Sequence, residues 1–120
     1  MTGRILQNGN VIEVRQGDSF SIKLKFHRGN DSIDLTNAKL EMQVRNMEDN
    51  MLKFSVLGTP IEAQEGLIAI LLTPEETKLD VGEYRTDIQL TTSDGQVNTI
   101  FPADVNKIGI FRVTEQVTNG

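Results

Sequence analysis

The strongest constraint on the fold lies in the stretch from Leu72 to Leu90. Within it, the motif Asp80-x-Gly82-x-Tyr84 interrupts a short helical pattern and is followed by strict alternation of apolar and polar residues. This is the pattern of a tyrosine corner, in which a Tyr hydroxyl hydrogen-bonds to the backbone a few residues upstream. We therefore predict that Tyr84, Gly82 and Asp80 form a structural corner at the start of a long strand.

The residues before this motif predict one short helical turn. Thr73 has the position of an N-cap, Pro74 that of the first helical residue, and Glu76 that of the return partner in a capping box. Because Gly82 and its neighbours stop the helix within two turns, only a single turn precedes the strand.

Most of the remaining chain follows a period of two, which is typical of strands with one buried face. Residues 67–72 are instead apolar on both parities, so they predict a central strand covered on both faces. Ser93-Asp94-Gly95 is the strongest hairpin signal. The predicted strands are 11–14, 20–26, 39–45, 51–56, 67–72, 82–92 and 97 onward, the last broken at Pro102 and resumed over 107–114 with Gly109 as a bulge.

These strands predict an all-β fold, because helices long enough to cross between parallel strands do not occur between them. We expect an immunoglobulin-like antiparallel β-sandwich of about seven or eight strands, with the helical turn before the penultimate long strand. Thr86 falls where such domains often carry a disulfide, and the chain has no Cys. The inter-sheet core is therefore expected to be aliphatic, with Ile22 or Leu24 facing Thr86 or Ile88. An SH3-like or other small barrel is the alternative, since closure leaves no trace in the periodicity.

The length predicts one domain over residues 1–120, with a core at about 11–114 and a polar tail at 115–120 that is expected to fray. The net charge is −5 and Lys and Arg are scattered, which argues against a nucleic-acid partner.

The N-terminus has no signal-peptide pattern, and the longest apolar run is six residues. We therefore expect synthesis in the cytoplasm and no membrane association.

The sequence offers little for catalysis. His27 is the single histidine and lies in a charged turn, so it is expected to be a solvated surface residue. Asp31 and Asp34 flank the same turn but lack the spacing of a calcium loop. We predict a protein that is not an enzyme, with no catalytic or metal-binding residues and no cofactor.

One group of apolar residues is a candidate partner surface. Met47, Met51, Leu57 and Ile61 lie around a polar turn and are not all required for a core. They are predicted to contact another protein.

The order of the motifs resembles a known group of small domains. Gly17-Asp18-Ser19 introduces a strand, residues 33–38 lead into the strand from Lys39, and residues 72–77 lead to Tyr84 and the Asp94-Gly95 hairpin. In this order the chain is similar to the immunoglobulin-like domains of bacteriophage tail and baseplate proteins, including the N-terminal domain of baseplate upper proteins. Asn37 stands where that group commonly has Gly, and Asn also tolerates a left-handed turn.

The resemblance implies a non-enzymatic structural component of a phage or prophage virion tail. Such a component would be localised in the virion, contact other tail proteins and be homo-oligomeric in the particle. The alternative is a stand-alone immunoglobulin-like module that binds carbohydrate or calcium in host or cell-surface recognition.

Overall fold

The computed structural model describes residues 4–5 and 9–115, which form a β-sandwich with a single turn of α-helix. A 3-10 turn lies between the eighth and ninth strands. The elements are β1 (Arg4–Ile5), β2 (Val11–Arg15), β3 (Phe20–Lys25), β4 (His27–Arg28), β5 (Asp31–Ser32), β6 (Lys39–Asn46), β7 (Leu52–Leu57), β8 (Thr59–Glu62), β9 (Leu67–Leu72), α1 (Pro74–Thr77), β10 (Gly82–Thr91), β11 (Val97–Phe101) and β12 (Ile110–Thr114).

The strand order is that of an immunoglobulin-like sandwich. The larger sheet has the order β1-β2-β12-β10-β6-β7, with β11 also paired to β10, and the smaller sheet has the order β3-β9-β8. Strands β12, β10, β6 and β7 correspond to G, F, C and C′, while β3 and β9 correspond to B and E. The predicted fold class is confirmed. The strands β4 and β5 form a separate two-stranded ribbon.

Two details differ from the prediction. The pairing is not purely antiparallel, because β2 runs parallel to β12. Strand β2 lies between β1 and β12. Both faces of β2 are covered there, since Val11 and Ile12 point to opposite faces and are 3% and 0% exposed. The described residues form twelve strands rather than eight, because the two-residue strands β1, β4 and β5 and the four-residue strand β8 carry no periodicity that a sequence pattern can reveal.

The final strand is divided more widely than predicted. Strand β11 pairs with the C-terminal half of β10, whereas β12 pairs with its N-terminal half. Residues 102–109 leave the sheet between them. Pro102 has no N–H to continue the ladder, so the strand breaks at this residue.

The core lies between the sheets and is aliphatic and aromatic. Met42 and Ile88 are fully buried, and Ile22 and Leu24 pack against the same cluster from the smaller sheet. Thr86, at the position of the usual cysteine, is 4% exposed and its hydroxyl donates to the Gln43 carbonyl oxygen at 2.7 Å. Hydrogen bonding to the neighbouring strand therefore satisfies this buried polar group.

Strand β9 is central in the smaller sheet, as predicted, but it is not covered throughout. Ile68, Ala69 and Ile70 are buried, whereas Leu71 is 49% exposed on the outer face. The prediction that both faces are covered therefore fails at Leu71, because no further layer packs there within the described part of the chain.

The helical turn begins as the capping pattern predicts. The Thr73 hydroxyl accepts from the Glu76 N–H at 3.3 Å, and the Thr73 N–H donates to Glu76 Oε1 at 2.8 Å. At the other end, the Thr77 hydroxyl donates to the Asp18 carbonyl oxygen at 2.6 Å. This bond joins the helix to the segment that leads into β3.

A second tie lies at the start of β10. The Tyr84 hydroxyl donates to the Asp80 carbonyl oxygen at 2.6 Å, and the side chain is 8% exposed. Burial raises the pKa of Tyr84, and the negative charge of Asp80 adds to the rise. The neutral phenol is therefore the form that the folded state stabilises.

We predict that Tyr84→Phe lowers the free energy of unfolding by about 1–2 kcal/mol, because the Asp80 carbonyl loses a buried partner. Urea denaturation followed by circular dichroism measures this difference. Val97→Ala is a suitable control, since Val97 is 58% exposed and its truncation is expected to change stability by less than about 0.5 kcal/mol. A Tyr84→Phe protein as stable as wild type would contradict the structural role of the hydroxyl.

Candidate functional site: a groove on the larger sheet

A concavity formed by described residues lies on the outer face of the larger sheet. It has a volume of about 700 Å³, with a floor formed by β6 and β10 and a wall formed by residues 102–109. Its volume falls within the range of sites that bind small ligands. The residues that matter most for its chemistry are Gln43, Arg45, Arg85, Asp87, Val105 and Lys107.

Two arginines face each other on the floor of this groove. Strands β6 and β10 are antiparallel, and their register places Arg85 directly opposite Arg45. Residues directly opposite in an antiparallel pair have their side chains on the same face, and like charges in this arrangement are destabilising. The next pair on the same face is Asp87 opposite Gln43.

Arg45 is held in place by its own strand and the following turn. Its Nη2 donates to Gln43 Oε1 at 3.0 Å, and its Nη1 donates to the Asn50 carbonyl oxygen at 3.1 Å. The side chain is half-buried. These bonds use two of the five N–H donors of a guanidinium and fix its orientation.

Arg85 is different, because it forms no hydrogen bond or ion pair with any residue in the described ranges. Its side chain is exposed at the groove. A contrasting arginine lies on the same face: Arg112 is bound by Glu83 at 2.9 Å and by Glu13 at 3.5 Å. Those carboxylates raise the pKa of Arg112. Arg85 therefore keeps its donors available, whereas Arg112 does not.

Asp87 is the acidic member of the floor. Burial raises the pKa of its carboxyl above the ordinary value of 3.8, Glu41 adds to the rise, and Arg45 and Arg85 oppose it. No donor from the described residues hydrogen-bonds to this half-buried carboxyl. The floor therefore offers unused donors and an unused acceptor two residues apart on β10.

The wall of the groove is attached to the sheet at its C-terminal end. The Thr86 N–H donates to the Gly109 carbonyl oxygen at 2.9 Å, and Asn10 Nδ2 donates to the Ile108 carbonyl oxygen at 3.1 Å. A side chain at position 109 has no room, because a Cβ there would lie 2.2 Å from the Thr86 carbonyl oxygen. Away from this attached end, Val105 in the same wall is 94% exposed.

The predicted interface residues do not form one surface. Met47 and Met51 lie in the turn before β7, whereas Leu57 is the last residue of β7 and Ile61 lies in β8. A six-residue strand spans about 17 Å, so the two pairs are separated by its length. All four side chains are exposed, from 38% at Met47 to 63% at Met51.

The corner residues lie beside a second, smaller groove of about 280 Å³. Gly82 and Tyr84 line it together with Met47 and Val81. Asp80 provides the carbonyl oxygen that binds the Tyr84 hydroxyl.

The histidine and acidic residues considered as candidate catalytic or metal-binding groups lie outside the groove. His27 is exposed, and its Nδ1 lies 3.1 Å from the Gly29 carbonyl oxygen. Asp34 accepts hydrogen bonds from the hydroxyl and the N–H of Thr36, which lower its pKa. Within residues 4–5 and 9–115, no three His, Cys, Asp or Glu side chains are grouped as a metal site would require. The same residues contain no helix of the length and apolarity needed to cross a bilayer.

The sequence interpretation missed Arg45, Arg85 and Asp87 as a set. Each occupies an outward position in a strand that was predicted correctly, and such residues are ordinarily solvated. The available signal was the pairing of two arginines across neighbouring strands, which requires the register of β6 against β10.

Comparisons with known proteins identify few similarities. No family model matches the chain, and no curated protein matches it significantly. One solved structure that matches is the crystal structure of CopC from Methylosinus trichosporium OB3b. That likeness has a TM-score of 0.48 and 13% sequence identity, and it covers 90% of this chain and 87% of that chain.

The prediction of a structural role in a phage or prophage tail was wrong by these comparisons. The solved structure named above is CopC, and no family model or curated protein connects the chain to a tail. The motif resemblance itself, the virion localisation and the homo-oligomeric state stay predictions. No ligand or activity is transferred from CopC to this chain.

We predict that Gly109→Ala destabilises the protein and disorders the wall of the groove, because the new methyl group would overlap the Thr86 carbonyl oxygen. Thermal unfolding and amide exchange of residues 102–109 measure the two effects. Ala103→Ser is the control, since Ala103 is exposed in the same segment. Unchanged stability in the Gly109 variant would contradict this close approach.

We predict that Asp87→Asn raises the melting temperature at pH 7. Because the folded-state pKa of Asp87 lies above 3.8, the stability that its protonated form contributes is complete below pH 3.8 and is lost as pH rises through the raised pKa. The variant's advantage should therefore disappear below pH 3.8. Asp31→Asn is the control, since Asp31 is exposed in β5. A lower melting temperature for Asp87→Asn at pH 7 would show that attraction to the arginines outweighs burial.

Proposed function

We propose that this protein is a non-enzymatic binding domain that holds an anionic ligand in the groove of the larger sheet. The observation that carries the proposal is the cross-strand pairing of Arg45 and Arg85. Within the described part of the chain Arg85 forms no hydrogen bond or ion pair, and the charge of Asp87 acts on it only at longer range. A ligand anion between them would replace like-charge repulsion with two favourable interactions.

The energetics favour an anion with a planar acidic group. A guanidinium presents its N–H donors in a rigid fork that matches the two oxygens of a carboxylate. Arg45 is half-buried and already oriented by Gln43 and Asn50, so little side-chain entropy is lost when it binds. Lys107 on the wall adds a third positive charge, and Asp104 on the same wall adds a second negative charge beside that of Asp87.

Asp87 allows the groove to discriminate between anions that carry hydrogen-bond donors and anions that do not. A small anion without hydrogen-bond donors would leave this half-buried carboxyl unpaired and would be repelled by its charge. A ligand that also carries N–H or O–H donors would satisfy both parts of the floor. The lining thus supports recognition of a polar ligand with an acidic group and at least one donor.

Binding rather than catalysis is supported by the chemical groups at hand. The chain has no cysteine, and its single histidine lies in β4, outside the groove lining. Arg, Gln, Asn and Asp side chains supply hydrogen bonds and charge, which suffices for binding.

The proposal is tested by titrating the protein at constant ionic strength with sodium glycolate, which carries a carboxylate and an O–H donor, and with sodium acetate, which lacks the donor. Side-chain Nε–Hε signals of arginine in NMR spectra should shift and saturate, with the larger changes at Arg85 and Arg45. At a concentration ten times the dissociation constant, the bound anion should stabilise the fold by about 1.4 kcal/mol.

Arg85→Gln should remove this response, since it deletes the unpartnered charge. Arg28→Gln is the matched control, because Arg28 is an exposed arginine in β4 and does not line the groove. Equal responses of both variants to either anion would show a general salt effect and would overturn the proposal.

A further inference from the structure

We infer that the ligand of this groove is the free C-terminus of an extended peptide that ends in an aliphatic residue. The inference rests on the proposed function and names its ligand. Three features of the groove match three parts of such a terminus: the arginine pair, the Asp87 carboxyl and an apolar lip formed by Pro102, Val105 and Ile108.

The terminal carboxylate fits the arginine pair. It is a planar anion with two oxygens, and Arg45 and Arg85 lie directly opposite each other across β6 and β10. Arg45 already uses two donors within the protein, whereas the donors of Arg85 are free of described partners. A single carboxylate can therefore accept from both side chains.

The peptide amides fit Asp87. Along β10, residues on one face are about 7 Å apart, and an extended peptide advances about 3.3 Å per residue. A peptide lying along the floor with its carboxylate at Arg85 thus brings a backbone N–H near the Asp87 carboxyl. This carboxyl lacks a donor within the described ranges, so the peptide would supply the missing hydrogen bond.

The apolar lip fits an aliphatic side chain. Val105 is 94% exposed and Ile108 is 48% exposed, and both line the groove beside its charged floor. A small anion would leave these surfaces in water, whereas the last side chain of a peptide would cover them. Burial of that apolar area favours a terminal Val, Leu or Ile over Gly.

Fluorescence anisotropy tests the inference with labelled hexapeptides on the full-length protein. One peptide ends Ala-Val-Leu with a free carboxylate, and a second has the same sequence with an amidated end. A third ends Ala-Val-Gly, and a fourth carries an internal Glu and an amidated end. We expect the free-acid Leu peptide to bind at least ten-fold more tightly than each of the others.

Variants assign the contacts. Arg85→Gln should weaken binding of the Leu peptide at least ten-fold, and Arg28→Gln should not. Val105→Ser should reduce the affinity for the Leu peptide to that for the Gly peptide. Val97→Ser, at another exposed valine outside the groove, should leave the preference for the Leu peptide over the Gly peptide unchanged. Because both valines are largely exposed, both variants are expected to fold.

The outcomes separate the inference from the proposed function. Equal affinity for the acid and amide peptides, or for the terminal-carboxylate and internal-Glu peptides, would overturn the inference. If no peptide binds while glycolate still shifts the Arg85 signal, only the choice of ligand is wrong. If glycolate also fails, the proposed function is wrong as well.

Discussion

The structure depends on the alternation of β10, which pairs with β6, β11 and β12 and carries residues of both faces. Because successive side chains of a strand point to opposite faces, Tyr84 and Ile88 enter the core while Arg85 and Asp87 face outward. The bond from the Tyr84 hydroxyl to the Asp80 carbonyl holds the strand at its start. A slip of one residue would move every one of these side chains to the wrong face.

The same strand connects the core to the groove. Thr86 is buried and bonds to the β6 carbonyl of Gln43, while its backbone N–H binds Gly109 at the base of the wall. The residues on either side of it, Arg85 and Asp87, form the floor. The site is therefore built on a rigid strand whose position is set by core packing. Such a strand can hold charged side chains close together even when no ligand lies between them.

Local patterns made much of the fold predictable. The capping box at Thr73, the left-handed Asn37 with a φ of 63° and the break at Pro102 all follow from the preferences of a few neighbouring residues. The division of the last strand into β11 and β12 was harder to predict, because it depends on pairing with the two halves of β10, and such pairing joins residues that are distant in sequence. The separation of Met47 and Met51 from Leu57 and Ile61 was missed for the same reason: the length of β7 lies between them.

By itself, the sequence determined the class of the fold, the corner at Tyr84 and the inward and outward sets of each strand, since these depend on periodicity and on short-range hydrogen bonding. Only the tertiary structure decided which outward residues meet. Arg45 and Arg85 are 40 positions apart in the chain and become neighbours through the register of β6 against β10. Register arises from packing of the whole core, and for this reason the groove could not be read from either strand alone.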